Sequence, residues 1–380
     1  MSDAQKRVQD AIDQLVASGA EIGMQIAAYQ HGELVVDAVA GVADLTTGRA
    51  VTADTPFFSA STGKSMTSTV AHVLAERGVF SYDTPIVELW PEFGAHGKQT
   101  ATIRHALTHT VGVPGVPADT TPEDLCDWQK MCAAIADAEP WWEPGSKYGY
   151  HAMTYGYIIG EIVRRATAKP ISQVLREEVA GPLGAADDLF FSVPQSELGR
   201  LARLEEGEAP MDAEQIKQFE AMAPLFFKAV PLAVQPSASL YNRTDFLTSD
   251  VPAGGSMSAR AMARLHAALL GAVDGVRLIS PERLRELSTV AVDDVDQVFG
   301  NRARMALGYV IGRPMPNPPE SPHPPDTTTA FGWSGVGGSS AYADSATGIT
   351  FALTKNRFTS ADFSSAAHIA DIVTQALSED

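Results

Sequence analysis

Ser61 and Lys64 stand three residues apart in the stretch "PFFSASTGKSMTST" (Pro56 to Thr69). A serine hydroxyl is a weak nucleophile until a neighbouring base takes its proton. A lysine can be that base once its surroundings make the ammonium form costly. On a helix, positions i and i+3 share one face, with Cβ atoms about 5–6 Å apart. Lys64 would then reach the Ser61 hydroxyl. A helix N-terminus at the same place favours negative charge, including that of a developing oxyanion. The same residues contain Gly63-Lys64-Ser65, the tail of a phosphate-binding loop. That loop requires G-x-x-x-x-G-K-[ST], because glycine amides must wrap the phosphates. Its first glycine position falls on Phe58, so the nucleotide-binding reading fails.

The elements that position this pair follow from periodicity. Residues 22–30 and 33–40 read as two strands joined at His31-Gly32, and a third short strand ends near Phe58. Met66, Val70, Val73 and Leu74 then recur at helical spacing, and Gly78 is placed to end the helix. Ser61 therefore falls at the first turn of a helix entered from a strand. An amphipathic N-terminal helix carries Val8, Ile12, Leu15 and Val16 on one face. The region from about 100 to 235 is mostly helical in pattern, and 254–271 reads as a further helix. Strands are expected within 304–312, 338–345 and 349–358, and a last helix over about 363–378. Strands at both chain ends with helices between predict a mixed α+β domain interrupted by a helical insertion. The expected division is an α/β domain from 1–98 and 246–380, with 99–245 as the mostly helical insert. The half-proline segment "RPMPNPPESPHPPD" (313–326) can be neither helix nor central strand and reads as a rim or linker loop.

Further segments extend the likeness to a known chemistry. They are "ALTHTVGVP" (106–114), "PGSKYGYHAMTYGYIIGEIVRR" (144–165), "VPAGGSMSARAMARLHAALL" (251–270) and "WSGVGGSSAYADSATGITFALTKNR" (333–357). With them the chain resembles the serine β-lactamase and penicillin-binding-protein superfamily. Within it the likeness is to class C β-lactamases and family VIII carboxylesterases. The resemblance implies an antiparallel sheet flanked by helices, with the active site where the helical insert meets it. It implies Ser61 as nucleophile and Lys64 as base or proton relay. Tyr150, five residues after Gly145, falls on the tyrosine of the second motif. A phenol held near two cations can exist partly as phenolate and shuttle protons. The oxyanion hole would use the backbone amides of Ser61 and Val336.

The pattern also departs from the β-lactamases. Where their second motif has Tyr-x-Asn, this chain has Tyr150-His151-Ala152, and Ala152 has no amide to hold a substrate or the lysine. Where their third has Lys-Thr-Gly, this chain has Trp333-Ser334-Gly335, so no cation meets a substrate carboxylate. An aromatic wall at Trp333 suits an uncharged or aryl acyl group. Trp333, Ser334, Gly335 and His151 are the expected substrate-binding residues, with packing as the alternative role for His151.

Other chemistries are disfavoured. His105 and His109 have the i, i+4 spacing of a helical zinc pair, but Ala106 stands where that motif needs glutamate. No metal site and no cofactor are expected. No G-x-S-x-G elbow occurs. Cys126 and Cys132, six apart, match neither a redox nor a zinc spacing. The 28 basic and 46 acidic residues give a net charge of −18, which argues against nucleic acid and anionic membranes as partners. The N-terminal stretch lacks a signal peptide's apolar core, so a cytoplasmic location is expected. The sequence thus predicts a serine hydrolase acting on a small-molecule ester. The alternatives are an acyltransferase that passes the same acyl group to an alcohol or amine, a β-lactamase or peptidase, and a silent binding protein. The oligomeric state is not legible.

Overall fold

A computed structural model describes residues 2–208, 212–315, 329–360 and 362–378. The strands, in chain order, are β1 (Gly23–Gln30), β2 (Glu33–Asp44), β3 (Arg49–Ala50) and β4 (Phe57–Ser59). β5 (Leu189–Phe190), β6 (Glu205–Glu206) and β7 (Gly255–Met257) follow. The last group is β8 (Val292–Val295), β9 (Arg302–Met305), β10 (Val310–Ile311), β11 (Ala330–Gly335), β12 (Ser339–Asp344), β13 (Ile349–Lys355) and β14 (Arg357–Phe358). Among the described residues, nine of them form one sheet in the order β3-β2-β1-β13-β12-β11-β10-β9-β8. Its pairings are antiparallel throughout. The first and last parts of the chain meet at its centre, where β1 pairs with β13 from Met24↔Lys355 to Gln30↔Ile349.

Helices cover both faces, so the central strands are apolar on both sides. In β1, Met24, Ile26 and Ala28 face one core with Val8 and Ile12 of the helix Asp3–Ala17 and Ile369 and Val373 of the helix Ser364–Ser378. Ala27 and Tyr29 face the other core, with Met262 and Leu269 of the helix Ala259–Leu270. Alternation along the strand thus sorts neighbours into two layers. The architecture is the expected α+β one, an antiparallel sheet flanked by helices.

Several boundaries differ from expectation. The stretch 254–271 is a helix only from Ala259, because its first residues form β7 between β4 and β5. The strand expected at 304–312 is broken into β9 and β10 by a tight turn at Gly308, whose φ is 80°. The mostly helical 99–245 segment contributes β5 and β6 to small sheets with β4, β7 and β14, and one continuous core runs through both parts. The proline-rich 313–326 segment lies, from residue 316 on, outside the described residues. Among the described residues, no helix is long and apolar enough to cross a membrane.

Candidate active site

β4 delivers the chain to a single 3-10 turn, Ser61–Gly63, which runs directly into the helix Lys64–Glu76. That geometry places Lys64 Nζ 3.1 Å from Ser61 Oγ. Lys64 is fully buried, and burial lowers its pKa to about 7. Two backbone carbonyls, of Ala152 at 2.7 Å and Ala253 at 3.2 Å, take its remaining N–H groups. So the lysine is held by Ala152 after all, through the main chain rather than a side-chain amide.

Close backbone approach makes this possible. A methyl group on Gly63 would lie 2.3 Å from the carbonyl carbon of Gly254, and one on Gly156 would lie 2.3 Å from that of Pro252. Segment 252–255 is thereby clasped between the Ser61–Gly63 turn and the helix Thr154–Thr167, with Thr67 Oγ1 donating to Pro252 O at 2.8 Å.

Tyr150 donates its hydroxyl to Ser61 Oγ at 2.5 Å. The tyrosine differs from expectation in its protonation. Burial pushes the phenol well above its ordinary pKa, and the hydrogen bond to Ser61 offsets this only in part. The neighbouring amine is Lys64, 5.0 Å from the ring centroid, and it is itself driven toward the neutral form. Tyr150 is therefore a phenol that donates, not a phenolate.

The aromatic residues behind it are structural. Trp333 is only 4% exposed, packs at 5.8 Å on Tyr150 and at 5.6 Å on His109, and donates its indole N–H to Gly308 O. It stands behind Tyr150 instead of forming the open wall expected from sequence. His151 is 1% exposed. Its Nε2 accepts from the Val113 amide and its Nδ1 donates to Gly149 O, so it braces loops and does not line the cleft. Burial holds it neutral, with a pKa of about 3. His109 accepts from the His151 amide and lies flat on Tyr155, 4.5 Å between ring centroids. It is not on the helix of His105, which ends at Leu107, and its φ of 56° turns the chain away. The i, i+4 spacing therefore does not put the two imidazoles on one helical face.

The end of β11 reaches the Ser61–Gly63 turn. A methyl group on Gly335 would come within 2.9 Å of the amide nitrogens of both Ser61 and Thr62. Val336 follows, half-buried, at the hairpin between β11 and β12. Ser334 is also half-buried and donates to Ser340 Oγ across that hairpin. The structure thus brings together Ser61, Lys64, Tyr150 and Gly335, and sets His151 and Trp333 into the packing around them.

Asp296 was not singled out by sequence. It is 3% exposed, and its Oδ1 accepts from the amides of Tyr150 at 3.1 Å and Val298 at 2.8 Å, with Phe299 at 3.3 Å. It fixes the backbone that carries the Tyr150 phenol. Its run, "DDVDQVFGNR", reads as a polar turn, and nothing local ties it to a residue 146 positions away.

The family model described as Beta-lactamase matches residues 8–375 of this chain. The esterase/beta-lactamase LipL of Mycobacterium tuberculosis (strain ATCC 25618 / H37Rv) is 34% identical over 361 residues, 89% of this chain and 78% of that protein. The crystal structure of a family VIII carboxylesterase is 31% identical with a TM-score of 0.87, covering 99% of this chain and 98% of that one. A penicillin-binding-protein homologue from Caulobacter crescentus is also 31% identical, with a TM-score of 0.82 and 98% of each chain covered.

Proposed function

Because the chain belongs to the beta-lactamase family, we propose that it hydrolyses carboxylic esters of small molecules through an acyl-enzyme on Ser61. One observation carries the reading: Ser61 Oγ is bracketed by Lys64 Nζ at 3.1 Å and the Tyr150 hydroxyl at 2.5 Å. A neutral amine has two N–H groups and one lone pair. The carbonyls of Ala152 and Ala253 take both donors, which aims the lone pair at the serine hydroxyl. Ser61 gives its proton to Lys64 as Oγ bonds to the ester carbonyl carbon. The resulting oxyanion sits against the Ser61 and Val336 amides. As the C–O bond breaks, Tyr150 protonates the leaving alkoxide, and the Lys64 ammonium restores the phenol. Water then attacks the acyl-enzyme, giving one proton to the same pair. The pair returns that proton to Ser61 Oγ as the acyl carbon–Oγ bond breaks, and the acid leaves.

In this reading the site lies on the seam of the proposed division. Ser61, Lys64 and Val336 come from 1–98 and 246–380, and Tyr150 and Ala152 from 99–245. LipL, named as an esterase as well as a β-lactamase, and the family VIII carboxylesterase structure support ester substrates. Trp333 supplies no charge for a substrate carboxylate, which also favours uncharged esters over β-lactams. The test is a serine-directed aryl phosphonate followed by intact-mass measurement. A single adduct mapping to Ser61, and loss of ester turnover in Ser61→Ala, are expected. A folded protein that takes no adduct, or a Ser61→Ala variant with full turnover, refutes the mechanism.

A further inference from the structure

A ladder of half-buried rings starts on Tyr150 and leads away from the nucleophile. Phe299 packs on Tyr150 with ring centroids 5.8 Å apart, and Phe226 packs on Phe299 at 5.1 Å. Phe219 and Phe227 continue it, at 5.0 and 5.4 Å from Phe226. All four phenylalanines are only partly buried. Elsewhere the large rings near the site, such as Trp333 and Tyr155, are covered completely or nearly so. Partly open rings that run on from a catalytic hydroxyl form an apolar binding surface with one polar end.

The ladder's starting point fixes which half of the ester it meets. Tyr150 is the group that protonates the leaving oxygen in the mechanism above, so rings extending from it lie on the alcohol side of the scissile bond. Its two ends differ in rigidity. Phe299 sits on a turn closed by Asp296, which accepts the Phe299 amide at 3.3 Å and whose own carbonyl accepts Gly300 at 2.7 Å. Phe219 belongs to the helix Ala213–Met222, which has no fully buried residue. A fixed first ring followed by loosely packed outer rings suits alcohols that share an apolar start and vary in length. The net charge of −18 works against anionic alcohols.

We propose that Phe299, Phe226, Phe219 and Phe227 form a leaving-group subsite that selects esters of aromatic or bulky apolar alcohols over those of small ones. The inference rests on the ester-hydrolase reading. The experiment compares kcat/KM for methyl, benzyl and 2-naphthylmethyl acetates, whose alcohols are close in acidity, with an acyl series of methyl esters as the second arm. The wild type should prefer naphthylmethyl over methyl acetate by more than about tenfold. Phe226→Ala and Phe299→Ala should each cut that ratio by about five- to tenfold, in keeping with the loss of one aromatic contact. Phe226→Leu, which keeps apolar volume and protects folding, should fall between. Ratios are independent of how much enzyme is folded. An unchanged ratio in the variants, or a change confined to the acyl series, overturns the proposal. Binding of 2-naphthylmethanol, read by tryptophan quenching, needs no turnover and should weaken in Phe226→Leu. Binding without ester cleavage would refute the hydrolase reading alone, and cleavage indifferent to the alcohol would refute the subsite alone.

Discussion

The buried lysine makes the sharpest prediction. Burial lowers the Lys64 pKa from 10.5 to about 7. At pH 7.5 roughly three-quarters of the side chain is then the free amine, against about one part in a thousand for an unperturbed lysine. If the amine is the base, kcat/KM falls about tenfold per pH unit below about 6.5 and levels off above about 7.5. The rate of Ser61 phosphonylation follows the same limb. Stability must also carry the imprint. The folded pKa is lowered, so the unfolded chain binds more protons between about pH 7 and 10.5, and folding gains stability as pH rises through that window. From pH 7 to 9 the gain is about 2 kcal/mol, an order-of-magnitude figure from the shift at roughly 1.4 kcal/mol per unit. Urea unfolding of the wild type and Lys64→Met at both pH values isolates this contribution, since the other titrating groups cancel. A rate profile flat to pH 5, a limb centred near pH 10, or a Lys64→Met difference that does not change with pH refutes the reasoning.

Three further outcomes follow from the site. Tyr150→Phe removes the donor at 2.5 Å from Ser61 Oγ and should lower kcat by about 10²–10⁴-fold, while the acid limb stays near pH 7; steady-state profiles of the variant check both. Asp296→Ala leaves the part-buried amide of Tyr150 and the buried amide of Val298 without an acceptor. Stability should drop by about 1–3 kcal/mol in urea unfolding and kcat should fall more than KM changes, with Asp296→Asn, which keeps an acceptor oxygen, largely restoring both. Gly63→Ala forces a methyl group to 2.3 Å from the Gly254 carbonyl carbon, and relieving it must move the 252–255 backbone off Lys64. Thermal unfolding should show a loss of roughly 2 kcal/mol or more, and the acid limb should shift from pH 7.

Local structure around Ser61 was legible where the sequence carries it locally. The strand, turn and helix around Ser61 follow from Phe57–Ser59, the apolar spacing of Met66, Val70, Val73 and Leu74, and Gly78, whose φ of 72° closes the helix. The sheet was legible in part: the stretches holding β1, β2, β12 and β13 were expected as strands, whereas β8 and β11 were not. Which side chains face the cleft was not. Trp333 and His151 are types that serve equally in a wall or in packing, and only the fold shows that Tyr150 covers one and loop amides occupy the other. His105 and His109 misled because spacing implies a shared face only while the helix lasts. Asp296 depends on a contact across 146 residues, and Ala253 acts through its carbonyl, which no side-chain pattern can reveal.

Main-chain acceptors make Ala152 compatible with the proposed lysine base. A lysine base needs its lone pair aimed at the serine, and something must hold its two N–H groups to aim it. Here both acceptors are main-chain oxygens, of Ala152 and Ala253. Their positions are set by packing: Gly63 and Gly156 let segment 252–255 approach from two sides, and His151 ties the motif-two backbone to Val113. Orientation of the Lys64 amine is thus independent of the side chain at position 152. The same arrangement keeps Lys64 free of carboxylates, among the described contacts of its Nζ, so burial lowers its pKa unopposed. A carboxylate introduced at Ala152 would remove the second of these, since an anion beside Nζ favours the ammonium form. Ala152→Asp should therefore move the acid limb of kcat/KM above pH 7, while Ala152→Asn, uncharged and of similar size, should leave it in place.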